Sequence, residues 1–153
     1  EDEELAEKTW AFIEQQLALF KDYDYILIAG HYPIWSIAEH GPTKTLVDRL
    51  LPLVDQYNVT AYLCGHEHNV QHLQTPRPGK SSLNFFVNGA ANFRSQSKAH
   101  RRSVPKNSSK YYWAASDDRG AVSVFTVDSK RMQIDIIDSL GNPLYSYSLQ
   151  SIF

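Results

Sequence analysis

Two short apolar runs, each stopping at a glycine followed by a histidine, constrain this chain most. They are Tyr25-Ile26-Leu27-Ile28-Ala29 before Gly30-His31, and residues 59–64 before Gly65-His66-Glu67-His68. A continuous apolar run too short for a helix reads as a strand covered on both faces. Ahead of the first run, Leu5, Ile13, Leu17 and Phe20 recur at helical spacing over about residues 3–20, with Trp10 beside them and acidic residues in the first turn. Between the runs, Pro42-Thr43 opens a second helical pattern through Leu46, Val47, Leu50, Leu51 and Val54, which Pro52 is expected to kink or split. Helix, strand, helix, strand predicts an α/β layer with parallel strands, and such sheets bind ligands beyond the carboxyl ends of their strands. His31 and the His66/His68 pair leave two strand ends in that position.

The spacing of His66 and His68 bears on their chemistry. On a helix, residues two apart do not share a face. In an extended segment they do, about 6.6 Å apart along the chain, so each can ligate a different ion of a pair spaced at roughly 3.5 to 4 Å. A bare Gly-His-x-His is also the composition of a solvated turn, so its context decides.

Beyond the second run the pattern changes. Residues 83–87 read as a strand, followed by a small-residue turn at Asn88-Gly89-Ala90-Ala91-Asn92. Residues 94–118 form a polar, basic stretch without periodicity. Residues 120–127, 132–138 and 144–149 predict an antiparallel meander turning at Asp128-Ser129-Lys130 and Leu140-Gly141-Asn142-Pro143. At 153 residues and 42% hydrophobic, the chain is one domain's worth, 1–153, with enough apolar side chains for a core. A net charge of -2 gives no general pull toward nucleic acid, and no apolar run is long enough to span a membrane. The single cysteine, Cys64, excludes an internal disulfide framework and reads as strand packing. The opening Glu1-Asp2-Glu3-Glu4 is not a signal peptide, which is informative only if residue 1 is a true start.

Three longer stretches carry a family resemblance: Ile28 through Gly30-His31-Tyr32-Pro33-Ile34-Trp35-Ser36-Ile37-Ala38-Glu39-His40-Gly41-Pro42-Thr43, then Ala61-Tyr62-Leu63-Cys64-Gly65-His66-Glu67-His68-Asn69, then Gly89-Ala90-Ala91-Asn92-Phe93 with residues 97–105. Together they resemble the C-terminal half of tartrate-resistant acid phosphatases, the small purple acid phosphatases of the metallophosphoesterase superfamily. The resemblance implies the C-terminal half of an α/β/β/α sandwich, with a mixed sheet ending in an antiparallel meander. It implies hydrolysis of phosphomonoesters by a metal-bound hydroxide at a dinuclear centre of iron(III) with iron(II) or zinc. Position by position, it makes His31 and His66 ligands of the divalent ion, His68 a ligand of iron(III), and His40 the catalytic histidine on the substrate side. It also implies a secreted or lysosomal glycoprotein.

The family's other ligands, in an Asp-x-Gly, a Gly-Asp-x-x-x-Tyr and a Gly-Asn-His-Asp/Glu, do not precede His31. Asp118-Arg119-Gly120 and Gly141-Asn142 match parts of these patterns only after the histidines and read as chance. Hard trivalent iron demands anionic oxygen, so three imidazoles do not suffice. The expected partner is therefore a complementary N-terminal chain or segment, without which the chain is inactive. Thr45 stands where the family has a cysteine that ties two such pieces, so the association is expected to be non-covalent. The alternatives are a non-catalytic phosphatase-like binding module and another metallophosphoesterase, such as a phosphodiesterase.

Several residues keep two readings. Glu67 either orients a ligand ring or is an outward, solvated carboxylate. Lys98, His100, Arg101, Arg102, Lys106 and Lys110 either steer anionic substrate or form a solvated loop. Trp10, Trp35 and Trp113 read as core or rim packing, and His72 has no assigned role. Asn58-Val59-Thr60 and Asn107-Ser108-Ser109 are glycosylation sequons, Asn107 being the better placed in its polar loop.

Overall fold

Helix α1 (Asp2–Leu19) turns Trp10, Ile13 and Leu17 toward the core, whereas Leu5 and Phe20 lie exposed, so its apolar face is narrower than the spacing predicts. The computed structural model describes residues 2–91 and 93–151; Glu1 of the acidic opening and Asn92 of the small-residue turn lie outside them. Arg49 forks onto the Glu7 carboxylate at 2.8 and 2.9 Å and lies over the Trp10 ring, pinning α1 to the second helical segment. That segment is split as Pro52 requires. A π-helical turn (Leu46–Leu50) leads into α2 (Leu51–Gln56), where Pro52 sits in the first turn and its missing N–H costs nothing.

The mixed sheet has the order β1 (Leu27–Gly30), β2 (Ala61–Cys64), β4 (Lys80–Asn88), β3 (Val70–Arg77), β5 (Ser109–Trp113). β1, β2 and β4 run parallel, β3 is antiparallel to β4, and β5, antiparallel to β3, runs in the direction of β1, β2 and β4 again. β1 differs from its prediction: it is an edge strand with Leu27, Ala29 and Gly30 exposed, because among the described residues no strand pairs with its free side. β3 and β5 were not legible as strands. β3 hairpins into β4 through Pro78-Gly79, where Gly79 takes a φ of 69°.

The predicted meander is the second sheet, β6 (Ala121–Val127), β7 (Arg131–Asp138) and β8 (Pro143–Gln150), all antiparallel. Both predicted turns are closed by aspartates: Asp128 accepts from the Lys130 and Arg131 amides, and buried Asp138 from those of Leu140 and Asn142.

The layers stack as helices, mixed sheet, antiparallel sheet. Ile34, Ile37, Leu50, Val54, Val59, Tyr62, Leu73 and Phe85 fill the helix side. Met132, Ile134 and Leu149 meet Ala61 and Phe86 between the sheets, and Ile136 meets Val70. The inter-sheet layer also carries a polar seam. His72 is fully buried, stacked on Phe86 at 4.3 Å, and bonded to Tyr145 Oη (2.8 Å) and Asn84 Oδ1 (3.0 Å). Since Oδ1 only accepts, His72 donates from Nε2 and accepts the Tyr145 hydroxyl proton at Nδ1. Two residues on, Gln74 donates to Tyr147 Oη at 2.7 Å. Among the described residues no helix covers the outer face of the second sheet, and none is long and apolar enough to cross a membrane.

Candidate functional site

Parallel pairing of β1 with β2 in the register Gly30↔Cys64 sets the two Gly-His turns side by side, and the Gly65 amide donates to the His31 carbonyl at 3.2 Å. The chain leaves β2 by a sharp turn: His66 takes a φ of 63°, and the Glu67 amide bonds the Gly65 carbonyl at 2.7 Å. The extended geometry expected across His66 and His68 is therefore broken at its first residue. Left-handed backbone throws the His66 ring back toward β1. Its Nδ1 lies 3.2 Å from His31 Nε2, and its ring is 4.4 Å from that of His40 and 4.5 Å from that of Tyr32. His68 goes elsewhere, its ring 5.3 Å from Phe93. Three of the four predicted histidines thus form one cluster, while His68 stands beside it.

Glu67 is fully buried, not an outward carboxylate. Its Oε1 accepts from Ser36 Oγ (2.7 Å), the His40 amide (3.0 Å) and the Gly41 amide (3.1 Å), and its Oε2 faces His40 Nδ1 at 3.1 Å. Burial by itself raises its proton affinity; the hydrogen bonds from Ser36, His40 and Gly41 outweigh that and hold the carboxyl below its ordinary value. The next inward positions continue the framework. Gln71 Nε2 donates to Ser36 Oγ and Asn69 Oδ1, and Gln71 Oε1 accepts the Ile37 amide. Glu67, Asn69 and Gln71, alternate polar residues with inward side chains, fasten the loop that carries His40. That period of two was the one signal in the sequence that pointed to them.

Burial, and after it the neighbouring His40 and His31, depress the proton affinity of His66, which favours the neutral ring a metal requires. Cys64 is no nucleophile: burial pushes its thiol up to about 12. Gly89 lies directly behind the turn; a Cβ there would come within 2.3 Å of the Glu67 carbonyl oxygen. The basic loop is tied to the cluster through His100, whose amide bonds the Ile37 carbonyl and whose ring covers Gly41. Arg101, Arg102 and Lys106 line an adjacent cavity of about 420 Å³. Of the sequons, Thr60 is buried with its hydroxyl engaged by the Ile26 amide, whereas Asn107 is exposed.

The spacing of two of these rings suits metal ligation. Two imidazole nitrogens bound to one ion at about 2.1 Å each stand roughly 3.2 Å apart when the angle at the ion is near 100°, and His31 and His66 already have that separation. Anionic oxygen is missing, since Glu67 is turned inward. Among the described residues no group of three or more His, Cys, Asp or Glu side chains is arranged to hold a metal ion.

No family model matches the chain. It is 44% identical over 145 residues to tartrate-resistant acid phosphatase type 5 of Sus scrofa, covering 95% of this chain and 41% of the relative. Among solved structures, a purple acid phosphatase from yellow lupin aligns with a TM-score of 0.66 at 16% identity, over 91% of this chain and 27% of the other. GAP50, described as the anchor in the inner membrane complex of Plasmodium, aligns with a TM-score of 0.76 at 20% identity, over 97% of this chain and 44% of the other. The chain therefore has the fold of a purple acid phosphatase part and spans less than half the length of these relatives.

Proposed function

From a chain similar over nearly its whole length to part of the tartrate-resistant acid phosphatases, we propose the histidine-bearing C-terminal part of an acid phosphatase that hydrolyses phosphomonoesters. The observation that carries this reading is the 3.2 Å approach of His31 Nε2 to His66 Nδ1 at the carboxyl ends of neighbouring parallel strands. His31 and His66 would hold the divalent iron or zinc, and His68 the iron(III). Carboxylate and phenolate donors come from a complementary N-terminal segment. When bound, such a pair of ions acidifies a water and polarises the phosphoryl oxygens.

The chain's own residues do the rest. Glu67 engages His40 Nδ1 and the His40 amide, so ring and backbone are oriented together and Nε2 is the ring nitrogen that Glu67 does not engage. From that nitrogen His40 gives a proton to the departing alcohol oxygen. The basic loop behind Gly41 favours approach of an anionic ester. Asn107, exposed beside that loop, is the glycan acceptor of a secreted or lysosomal protein.

The test is His66→Ala in the full-length metal-loaded protein, where loss of divalent metal and of monoester turnover is expected. Undiminished metal content and turnover overturn the assignment. A second reading, a phosphatase-like fold kept as a non-catalytic binding module, is favoured by the likeness to the Plasmodium anchor protein. A full-length native protein that holds no iron would support it over catalysis. A phosphodiesterase is separated by comparing a monoester with a diester.

A further inference from the structure

From residue 68 to residue 116 the chain holds no aspartate or glutamate, while arginine and lysine recur throughout. Most of these cations are accounted for. Arg77 and Arg94 face Asp55 and Asp118, Lys80 Nζ donates to the Asp55 carbonyl at 2.9 Å, and Lys98 Nζ lies over the Tyr112 ring at 4.3 Å. Arg101, Arg102 and Lys106 differ: among the described residues none of the three makes an ion pair or a side-chain hydrogen bond. They nevertheless converge on one cavity of about 420 Å³. Like charges gathered round one space repel, and an anion placed among them turns that repulsion into attraction.

The wall of this cavity is fixed by the fold. The loop is held at His100, whose amide bonds the Ile37 carbonyl, and at Val104, which packs against the helix-side core. A tight turn follows, in which the Ser108 amide donates to the Pro105 carbonyl at 3.1 Å and Asn107 takes a φ of 63°. The Ser108 carbonyl in turn accepts the Gln74 amide at 2.8 Å. The backbone of Ser108 is thus satisfied on both sides and the residue is 2% exposed, yet its Oγ has no hydrogen-bond partner. Buried hydroxyls are nearly always bonded. Ser108 lines the same cavity as the three cations, so an acceptor entering that cavity would complete it.

We propose that Arg101, Arg102, Lys106 and Ser108 form a binding site for a phosphate-class oxoanion, separate from the histidine cluster. Two guanidinium forks, an ammonium and a hydroxyl suit a phosphoryl group, with three or more acceptor oxygens and a charge of about -2, better than the two oxygens and single charge of a carboxylate. The cations take the charge, and Ser108 Oγ donates to one of the oxygens. The site needs no metal and does not rest on the phosphatase reading. Free inorganic phosphate and a phosphoryl group esterified to a larger molecule both offer this chemistry.

The test titrates the full chain with inorganic phosphate and, separately, with phosphoserine, at an ionic strength held constant with chloride. The protein is free of metal and, because Asn107 borders the cavity, free of glycans. Amide resonances of residues 101–109 should shift and saturate at one ligand per chain, with a dissociation constant of about 1 mM or below. Those of His40 and His66 report binding at the histidine cluster. Arg101→Gln combined with Arg102→Gln, at exposed positions, should weaken binding about tenfold and leave the urea midpoint unchanged or raised. Ser108→Ala removes a hydroxyl that bonds nothing within the chain, so the urea midpoint should hold while affinity falls about fivefold. Phosphoserine binding as tightly as phosphate assigns the site to esterified groups, and weaker binding of phosphoserine assigns it to the free ion; both uphold an oxoanion site. Shifts that chloride alone reproduces, that appear only at His40 and His66, or that survive both variants overturn it.

Discussion

Acidification should destabilise this fold through His72, and the size of the effect follows from its surroundings. The ring is sealed between the sheets, with Phe86 on one face and Tyr145 and Asn84 at its nitrogens. Burial is the main cause that lowers it from the ordinary 6.5 to about 4, against a smaller opposing contribution from the Asn84 hydrogen bond. The folded protein therefore keeps the ring neutral where the unfolded chain protonates it. The associated stability is complete above pH 6.5, is lost as pH falls toward 4, and changes no further below that. At about 1.36 kcal/mol per tenfold change in proton affinity, the loss between pH 7.5 and 4.5 is about 2.5 kcal/mol. With a urea dependence of about 2 kcal/mol per molar, the midpoint should fall by about 1.2 M. His72→Gln keeps a donor and an acceptor but does not titrate. His66, whose proton affinity burial also lowers, and the depressed carboxyls of Glu67 and Asp138 contribute to both proteins and cancel in the comparison. Urea midpoints of wild type and variant at half-unit pH intervals decide the matter. Parallel decline of the two proteins between pH 6.5 and 4.5 would refute the burial argument.

Two further substitutions probe the turn that carries the histidines. Gly89→Ala puts a methyl within 2.3 Å of the Glu67 carbonyl oxygen; a backbone atom must move, at a cost of about 2 kcal/mol. Chemical denaturation measures that cost, and displaced His66 and His68 ring resonances should accompany it. Glu67→Gln retains an acceptor for Ser36, His40 and Gly41 and should cost about 1 kcal/mol, whereas Glu67→Ala orphans these buried donors and should cost about 3 kcal/mol or more. Equal urea midpoints for the two variants would show that the carboxylate does not hold the loop.

β1 and β2 were legible because their apolar runs end at Gly-His, and the meander because Met132, Ile134 and Ile136 alternate inward between turn residues. β3 was hidden. Its inward positions include Gln71 and His72, which read as surface until Ser36, Asn84 and Tyr145 are placed around them. β5 was lost within a basic stretch, half-exposed at the sheet edge. The histidine motif marked where the chemistry lies but not how its rings point. An extended spacing puts His66 and His68 on one face, and only the left-handed backbone at His66 sends one ring to His31 and leaves the other by Phe93. Glu67 was ambiguous for a related reason, since a carboxylate flanked by two half-exposed residues gives no sign of four inward hydrogen bonds.

Apolar faces slide past one another at little penalty, but Tyr145 and Tyr147 are bolts set two residues apart, each seated in a polar partner across the gap. Displacing one layer by a strand repeat would withdraw both at once and leave the buried His72 Nδ1 without its hydroxyl partner. The alignment of the layers is thus decided inside this polypeptide. The exposed flank at β1 is the edge of a frame whose two layers are already fixed in register.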